Sequence, residues 1–336
     1  MVGRPAGPSR TTSVGDSLSK QKSGRIIARI YANQSDSPSR GLNSRNVGIG
    51  TWRYLYRHAR RDFGVGGHPL ESVKALLAHT SRDWTRVKTG ESGDLVYRRE
   101  DGLAYAKIAS SARSVDLAGE RNRLLWLQGR GIATPEVIDW REVEEGACLV
   151  TTAIPGVPAA DLDRDALLKA WPSMARQLKS LHDLSSDQCP FDRSLSLMFA
   201  KASDVVSRDA VNPDFLPPED RGRSARELLD RVERDLPLRL AQEVVDGVLC
   251  HGDACMPNFM VDPHSLQCAG LIDLGRVGKA DRYVDLSLMI ANAEESWATS
   301  EQGQRAFSIL FETLEIEQPD RERLAFYLRL DPLTWG

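Results

Sequence analysis

The segment His251-Gly252-Asp253-Ala254-Cys255-Met256-Pro257-Asn258, followed by an apolar Gly270-Leu271-Ile272 and then Asp273-Leu274-Gly275, constrains this chain more than any other feature. Asp253 and Asn258 stand five residues apart around a short loop, and Asp273 follows fifteen residues later at the end of a strand-like stretch. Phosphoryl transfer needs oxygen ligands for Mg²⁺, a hard ion that takes carboxylates and amide carbonyls. It also needs a carboxylate that orients the attacking hydroxyl and accepts its proton, which contributes roughly 10²–10⁴ in rate. One loop can supply the base and the amide ligand, and a hairpin can return a second carboxylate beside them. His-Gly-Asp alone is a commonplace turn. HGDxxxxN followed at this distance by IDxG is far more specific.

Upstream, the texture changes at Trp84. TRVKTGESGDLVYRRE reads as strand, glycine-bearing turn and strand, and LAYAKIA (103–109) alternates as a third strand after Asp101-Gly102. SVDLAGERNRLLWLQGRG reads as a helix, with Ser114 as its N-cap and Gly129 or Gly131 as its stop. PEVIDW and GACLVTTA are two further strands, and Ile154-Pro155-Gly156 then breaks the pattern. Beyond it the chain is mostly helical. In 163–184 the residues Leu167, Trp171, Met174, Leu178 and Leu181 recur at three- and four-residue steps, with Pro172 expected to bend or break the helix. Residues 194–211, 225–243 and 280–297 read as further helices. The expected fold class is therefore α+β and two-lobed, with a small sheet lobe over 70–153 and a larger, mainly helical lobe over 154–336.

These motifs resemble the phosphotransfer signatures of the aminoglycoside phosphotransferase family, relatives of the protein kinases. The resemblance implies a protein-kinase-like fold, with ATP and Mg²⁺ as cofactors. It implies Asp253 as the catalytic base, Asn258 and Asp273 as metal ligands, and His251 as the scaffold of the loop. It also asks the small lobe for a lysine on the phosphates and a helix carboxylate to hold it. Lys107 in AYAKIA and Glu120 in the following helix stand in the right order. Each alone is an ordinary surface residue, and it is the pair upstream of HGDxxxxN that points to an ion pair. The turn TGESGD (89–94) falls where a phosphate-covering loop belongs, with Gly93 offering its backbone N–H, although it keeps only Gly90 and Gly93 of a GxGxxG pattern. By the same resemblance, backbone groups near Ala153 would meet adenine.

From about Ser81 to Gly336 the likeness extends to the streptomycin 3''-phosphotransferase branch, through stretches such as EGACLV, AIPGVPAADL, LLKAWPSM, DQCPFDR, CMPNFMVDP and RERLAFYLRLDPLTWG. It implies streptomycin as the small-molecule partner and its 3''-hydroxyl as the acceptor. That drug carries two guanidinium groups and a secondary amine, so its pocket calls for carboxylates, which pair with guanidinium bidentately. Asp281, Asp285, Glu294 and Glu295 on the predicted helix 280–297, with Asp331 near the chain's end, form the candidate set. Singly, each is more often a solvated helix position.

Composition agrees with a cationic ligand. The net charge of -3 hides 13 Lys/Arg against 4 Asp/Glu in residues 1–80, and 31 against 43 in the remainder. Low apolar content marks 1–69 as a basic extension, disordered or non-native, and little precedes the first strand in the family pattern. It is expected to contribute nothing to catalysis. As a nucleic-acid arm it lacks the aromatic residues that stack on bases. Five cysteines without paired spacing indicate reduced thiols in a cytoplasmic protein, and no apolar run spans a bilayer. Two other readings stay open: a kinase of this fold for another hydroxylated cation, and a non-catalytic, pseudokinase-like binding protein.

Overall fold

A computed structural model of the chain describes residues 83–87 and 94–336. The basic extension 1–69 and the glycines Gly90 and Gly93 lie outside the described residues. Among those residues no helix is long and apolar enough to cross a membrane.

Strands β1 (Trp84–Val87), β2 (Leu95–Arg99) and β3 (Ala104–Ser110) lead into helix α1 (Ser114–Leu127), and β4 (Val137–Val143) and β5 (Gly146–Thr152) follow. They form one antiparallel sheet in the order β1-β2-β3-β5-β4. Alternation along β3 decides which way its lysine points. Ala106 and Ile108 join Tyr97, Cys148 and Val150 in a small core on one face of the sheet. Lys107 therefore takes the other face, opposite Leu149, which packs with Leu117, Leu124 and Leu127 of α1. The helix that covers this face brings a glutamate over the strand. Ser114 is not the N-cap of α1 but its first residue, with its hydroxyl donating back to Ser111 O (3.0 Å). Past Leu127, Gly129 and Gly131 adopt φ of 75° and 78°, a region that costs glycine nothing and ends the helix.

The large lobe continues with β6 (Val157–Pro158), α2 (Arg164–His182), α3 (Leu195–Ser207) and α4 (Ala225–Asp246). Strands β7 (Gly247–Cys250), β8 (Phe259–Val261), β9 (Cys268–Leu271) and β10 (Gly278–Asp281) come next, then α5 (Tyr283–Ala293), α6 (Ser300–Thr313) and α7 (Arg321–Leu330). Asp163 caps α2 by accepting from the N–H groups of Asp165 and Ala166, and α2 runs unbroken through Pro172. The lost backbone bond is offset by packing, since Leu167, Trp171, Met174, Leu178 and Leu181 are all buried and the Trp171 indole donates to Ala306 O (2.8 Å). Helices α6 and α7, which the sequence reading does not include, close the lobe.

The predicted helix 280–297 begins only at Tyr283, because 278–281 pair antiparallel with β7 as β10. This corrects the expectation for Asp281. It is not on a shared helical face with Asp285, and its fully buried carboxylate accepts from Arg323 Nε (2.6 Å), Tyr327 Oη (2.8 Å) and Tyr283 N (2.9 Å). Arg323 also reaches Asp246 (2.7 Å), so the cluster ties β10 to α7 and α4. A carboxylate so committed joins elements together and has no oxygen left for a ligand. Breaking a buried pair leaves an uncompensated charge, so Asp281→Ala is expected to lower unfolding stability by about 3–5 kcal/mol. Urea titration of wild type and variant measures it, and a loss below about 1 kcal/mol contradicts this role.

Candidate active site

The loop between β7 and β8 carries His251, Gly252, Asp253 and Asn258. Asp285, in the first turn of α5, accepts from His251 N (2.7 Å), Gly252 N (2.8 Å) and His182 Nε2 (2.9 Å). Burial alone would raise the Asp285 pKa, but the His182 hydrogen bond and its neighbours outweigh burial and hold the carboxyl below its ordinary range. Asp285 is therefore corrected from drug ligand to anchor of this loop. His251 Nδ1 accepts from Asp253 N (3.2 Å), so the ring's proton sits on Nε2 and goes to Ile272 O (3.0 Å). Ile272 N in turn donates to Asn258 O (3.0 Å), extending the β8–β9 pairing of Phe259 with Leu271. The two loops are thereby stitched together next to Asp273.

Asp273 itself has φ of 60°, a left-handed conformation rare outside glycine, asparagine and aspartate. That turn faces its side chain toward Lys107, whose Nζ meets Asp273 Oδ1 at 3.0 Å and Glu120 at 2.7 and 3.0 Å. Burial works against the ammonium, yet Glu120 and Asp273 overcome it and push the Lys107 pKa above its usual value, so the lysine stays charged. Lys107 in turn holds Asp273 ionised. One ion-paired lysine thus joins the sheet, α1 and the large lobe.

Asn258 donates Nδ2–H to Asp253 O (2.8 Å), which turns its Oδ1 away as the atom free for a cation. Asp273 keeps a second oxygen, and its side chain is 45% exposed toward the cleft. An amide oxygen and a carboxylate oxygen are the donor set Mg²⁺ prefers, so the residues present fit that ion. Asp253 accepts the Cys255 thiol at Oδ1 (3.2 Å), leaving Oδ2 for an acceptor. Burial raises its pKa, the nearby Arg276 pulls it down, and Asp273 and Asp331 raise it further, which makes it a stronger base once ionised.

The remaining candidates divide. Ala153 lies just past β5, but its N–H is committed to Leu103 O (2.9 Å), so only its carbonyl is left for a nucleotide, a narrowing of the expectation. Asn292, near the end of α5, accepts from Met256 N (2.8 Å) and so sets the turn of Glu294–Ser296 beside the catalytic loop. Glu294 is part-buried there and Glu295 exposed. Asp331 is buried, with Trp335 Nε1 at 3.2 Å and Arg276 at 3.7 Å, and that arginine stacks on the Trp335 ring at 3.4 Å. Arg276, Asn292 and His182 went unread in the sequence. Only the LIDLGR stretch hinted at the first, and the other two act through contacts 36 and 103 residues away.

A model of the phosphotransferase enzyme family matches residues 83–327. The streptomycin 3''-kinase of Streptomyces griseus is 45% identical over 274 residues, covering 82% of this chain and 95% of that protein. An aminoglycoside 3'-phosphotransferase of Streptomyces fradiae is 36% identical, covering 74% of this chain and 94% of its own. Among solved structures, aminoglycoside phosphotransferase APH(3'')-Id from Streptomyces rimosus, in complex with ADP and streptomycin, superposes with a TM-score of 0.74. It shares 42% identity and covers 80% of this chain and 98% of its own. With its kinase-like two-lobed architecture and a lysine–carboxylate cluster at the lobe junction, the chain belongs to the phosphotransferase enzyme family.

Proposed function

We propose that this chain inactivates streptomycin by moving the γ-phosphoryl group of ATP to the drug's 3''-hydroxyl, and so confers resistance in the cytoplasm. The observation that carries the phosphoryl transfer is Lys107 held between Glu120 and Asp273 within reach of the HGD loop. The likeness to a streptomycin kinase over nearly its whole length supports the acceptor. In this reading Lys107 pairs with the α- and β-phosphates, and Asn258 Oδ1 and Asp273 hold Mg²⁺, which would neutralise charge on the phosphates. Asp253 Oδ2 orients the acceptor hydroxyl and takes its proton as the oxygen–phosphorus bond forms and the bond to the β-phosphate oxygen breaks. Gly93 and the Ala153 carbonyl contribute to nucleotide binding. Residues 1–69 take no part.

Glu294, Glu295 and Asp331 are the carboxylates we assign to the drug's guanidinium groups. Glu294 combines a charge with partial burial, where a guanidinium pair is worth more than in open water. Burial, and then the Glu295 charge, push its pKa up to about 7. Binding a cation needs the ionised form. The KM for streptomycin is therefore expected to rise as pH falls through about 7, while the KM for ATP follows a different profile.

Mass spectrometry after incubation with ATP, Mg²⁺ and streptomycin is expected to find one added phosphate on the drug, and Asp253→Ala should slow the reaction at least about 10²-fold. No mass increment on streptomycin, with turnover of another hydroxylated cation, would move the acceptor assignment elsewhere. Replacing Glu294 and Glu295 by Gln should raise the drug's KM about tenfold or more, given about 1.5–3 kcal/mol for each charged hydrogen bond. It should also flatten the pH dependence near 7. An unchanged KM puts the drug pocket on other residues. A protein beginning at Leu70 is expected to keep full turnover, and lost activity would give the extension a catalytic part.

A further inference from the structure

Between α2 and α3 the chain runs along the edge of β10. Asp192 bridges to Lys279, Lys279 N donates to Phe191 O (2.9 Å), and Arg193 N donates to Lys279 O (3.0 Å). Gly278 permits this approach, since a Cβ there would stand 3.0 Å from Arg193 Cβ. Phe191 meets the small lobe: its ring lies edge-on to Trp126 with centroids 6.1 Å apart, and 4.7 Å from the Arg123 guanidinium. Arg123 Nε also donates to Val277 O (2.7 Å). Two residues on, the Arg193 side chain reaches the catalytic turn. A Cβ built on Gly252 would stand 2.6 Å from Arg193 Nε and 2.7 Å from its Cδ. Gly252 has φ of 79°, and the Arg276 carbonyl oxygen and the Arg193 stem together fill the space a side chain would need.

The turn that carries Asp253 is thus held from two sides. Asp285 accepts its N–H groups, and Arg193 covers Gly252. The Arg193 guanidinium makes no evident structural bond in return: Nε and Nη2 are buried and meet no acceptor among the described residues. Leaving such donors unpaired is costly, so the position calls for a reason beyond packing. The surrounding charges supply one. Asp331, Asp253 and Asp285 act on the group attractively and Arg276 repulsively, and although burial and Arg276 lower its pKa to about 10, it remains a cation at neutral pH.

We infer that Arg193 is a positioning residue for Asp253: its stem seats Gly252, and its charge offsets the converging carboxylates, so that the base stays aimed at the acceptor. This inference rests on Asp253 being the base. It assigns Arg193 no contact with ATP or drug, so the effect belongs in kcat. A displacement of about 1 Å at the base costs about 10²-fold. Arg193→Ala is expected to lower kcat about 10²-fold, with the KM for ATP and for the acceptor each within about threefold and the ADP Kd unchanged. Arg193→Lys, which keeps the charge and most of the stem, should recover about tenfold of the loss. Arg193→Met, which keeps the stem alone, should recover less than Lys.

A kcat for Arg193→Ala within twofold of wild type overturns the inference, as does a change confined to KM. Should the alanine variant not fold, the Met and Lys variants decide: equal kcat at the wild-type level overturns it, and Lys above Met at an unchanged ADP Kd supports it. A wild type inactive on streptomycin defeats the acceptor assignment alone. The same variant ratios are then read from basal ATP hydrolysis, in which Asp253 orients water in place of the drug's hydroxyl.

Discussion

A single buried carboxylate, Asp285, holds the consecutive backbone N–H groups of His251 and Gly252, and the geometry of the site propagates from those bonds. A charge removed from water must be paired or bonded on all sides, and here the turn and His182 provide the donors. The dependence runs both ways. The turn needs an acceptor for N–H groups that no strand partner takes, and the carboxylate needs donors that no solvent supplies. With the turn in place, His251 reaches Ile272, Ile272 reaches Asn258, and the two loops become one unit. Asp273 leaves that unit in a left-handed conformation and meets Lys107, which Glu120 holds from the other side. A continuous series of hydrogen bonds and ion pairs thus links α5 of the large lobe to α1 of the small one.

Counting Glu120, carboxylates outnumber cations in this series by five to three. Asp253, Asp273, Asp285 and Asp331 converge from four elements, and Lys107, Arg193 and Arg276 stand among them. Like charges gathered in a poorly solvated space repel strongly, so each carboxylate is tolerated only with a named counterpart. What is left over differs between the two ends of the cleft. Near Lys107, unspent oxygens of Asn258 and Asp273 suit a divalent ion. Near the turn after α5, Glu294 and Glu295 stand side by side, and the Glu295 charge adds to burial in pushing the Glu294 pKa up. In the proposed reading, Lys107 and a bound cation would favour an anionic nucleotide at one end, and the Glu294–Glu295 turn a cationic acceptor at the other.

Much of the site was legible in the sequence because its parts are local. Asp253 and Asn258 share one loop, Asp273 ends the adjacent hairpin, and Lys107 and Glu120 lie on a strand and the helix that follows it. Spacing brings the members of each set close together, and only the fold brings Lys107 to Asp273, 166 residues away. The acidic residues assigned to the drug were a different matter. Asp281 and Asp285 were read as one helical face, but the chain breaks between them into β10 and α5, and each carboxylate is spent on a distant arginine, tyrosine or backbone turn. Composition cannot separate a carboxylate that binds a ligand from one that braces the fold, since both are Asp. Pro172 misled for a related reason, because local propensity yields to the packing of Trp171 and its neighbours.

The sequence by itself determined the two-lobed fold class, the order of the sheet-lobe elements and the candidate oxygen ligands, since these follow from periodicity and from motifs whose members are near in the chain. Tertiary structure decided which carboxylates were free. It also decided that Arg193 crosses Gly252 and that Asn292 and His182 support the loop of His251–Asn258. The physical reason is that the cost of burying a charge depends on partners tens to a hundred residues away, which only the folded chain brings within hydrogen-bond reach.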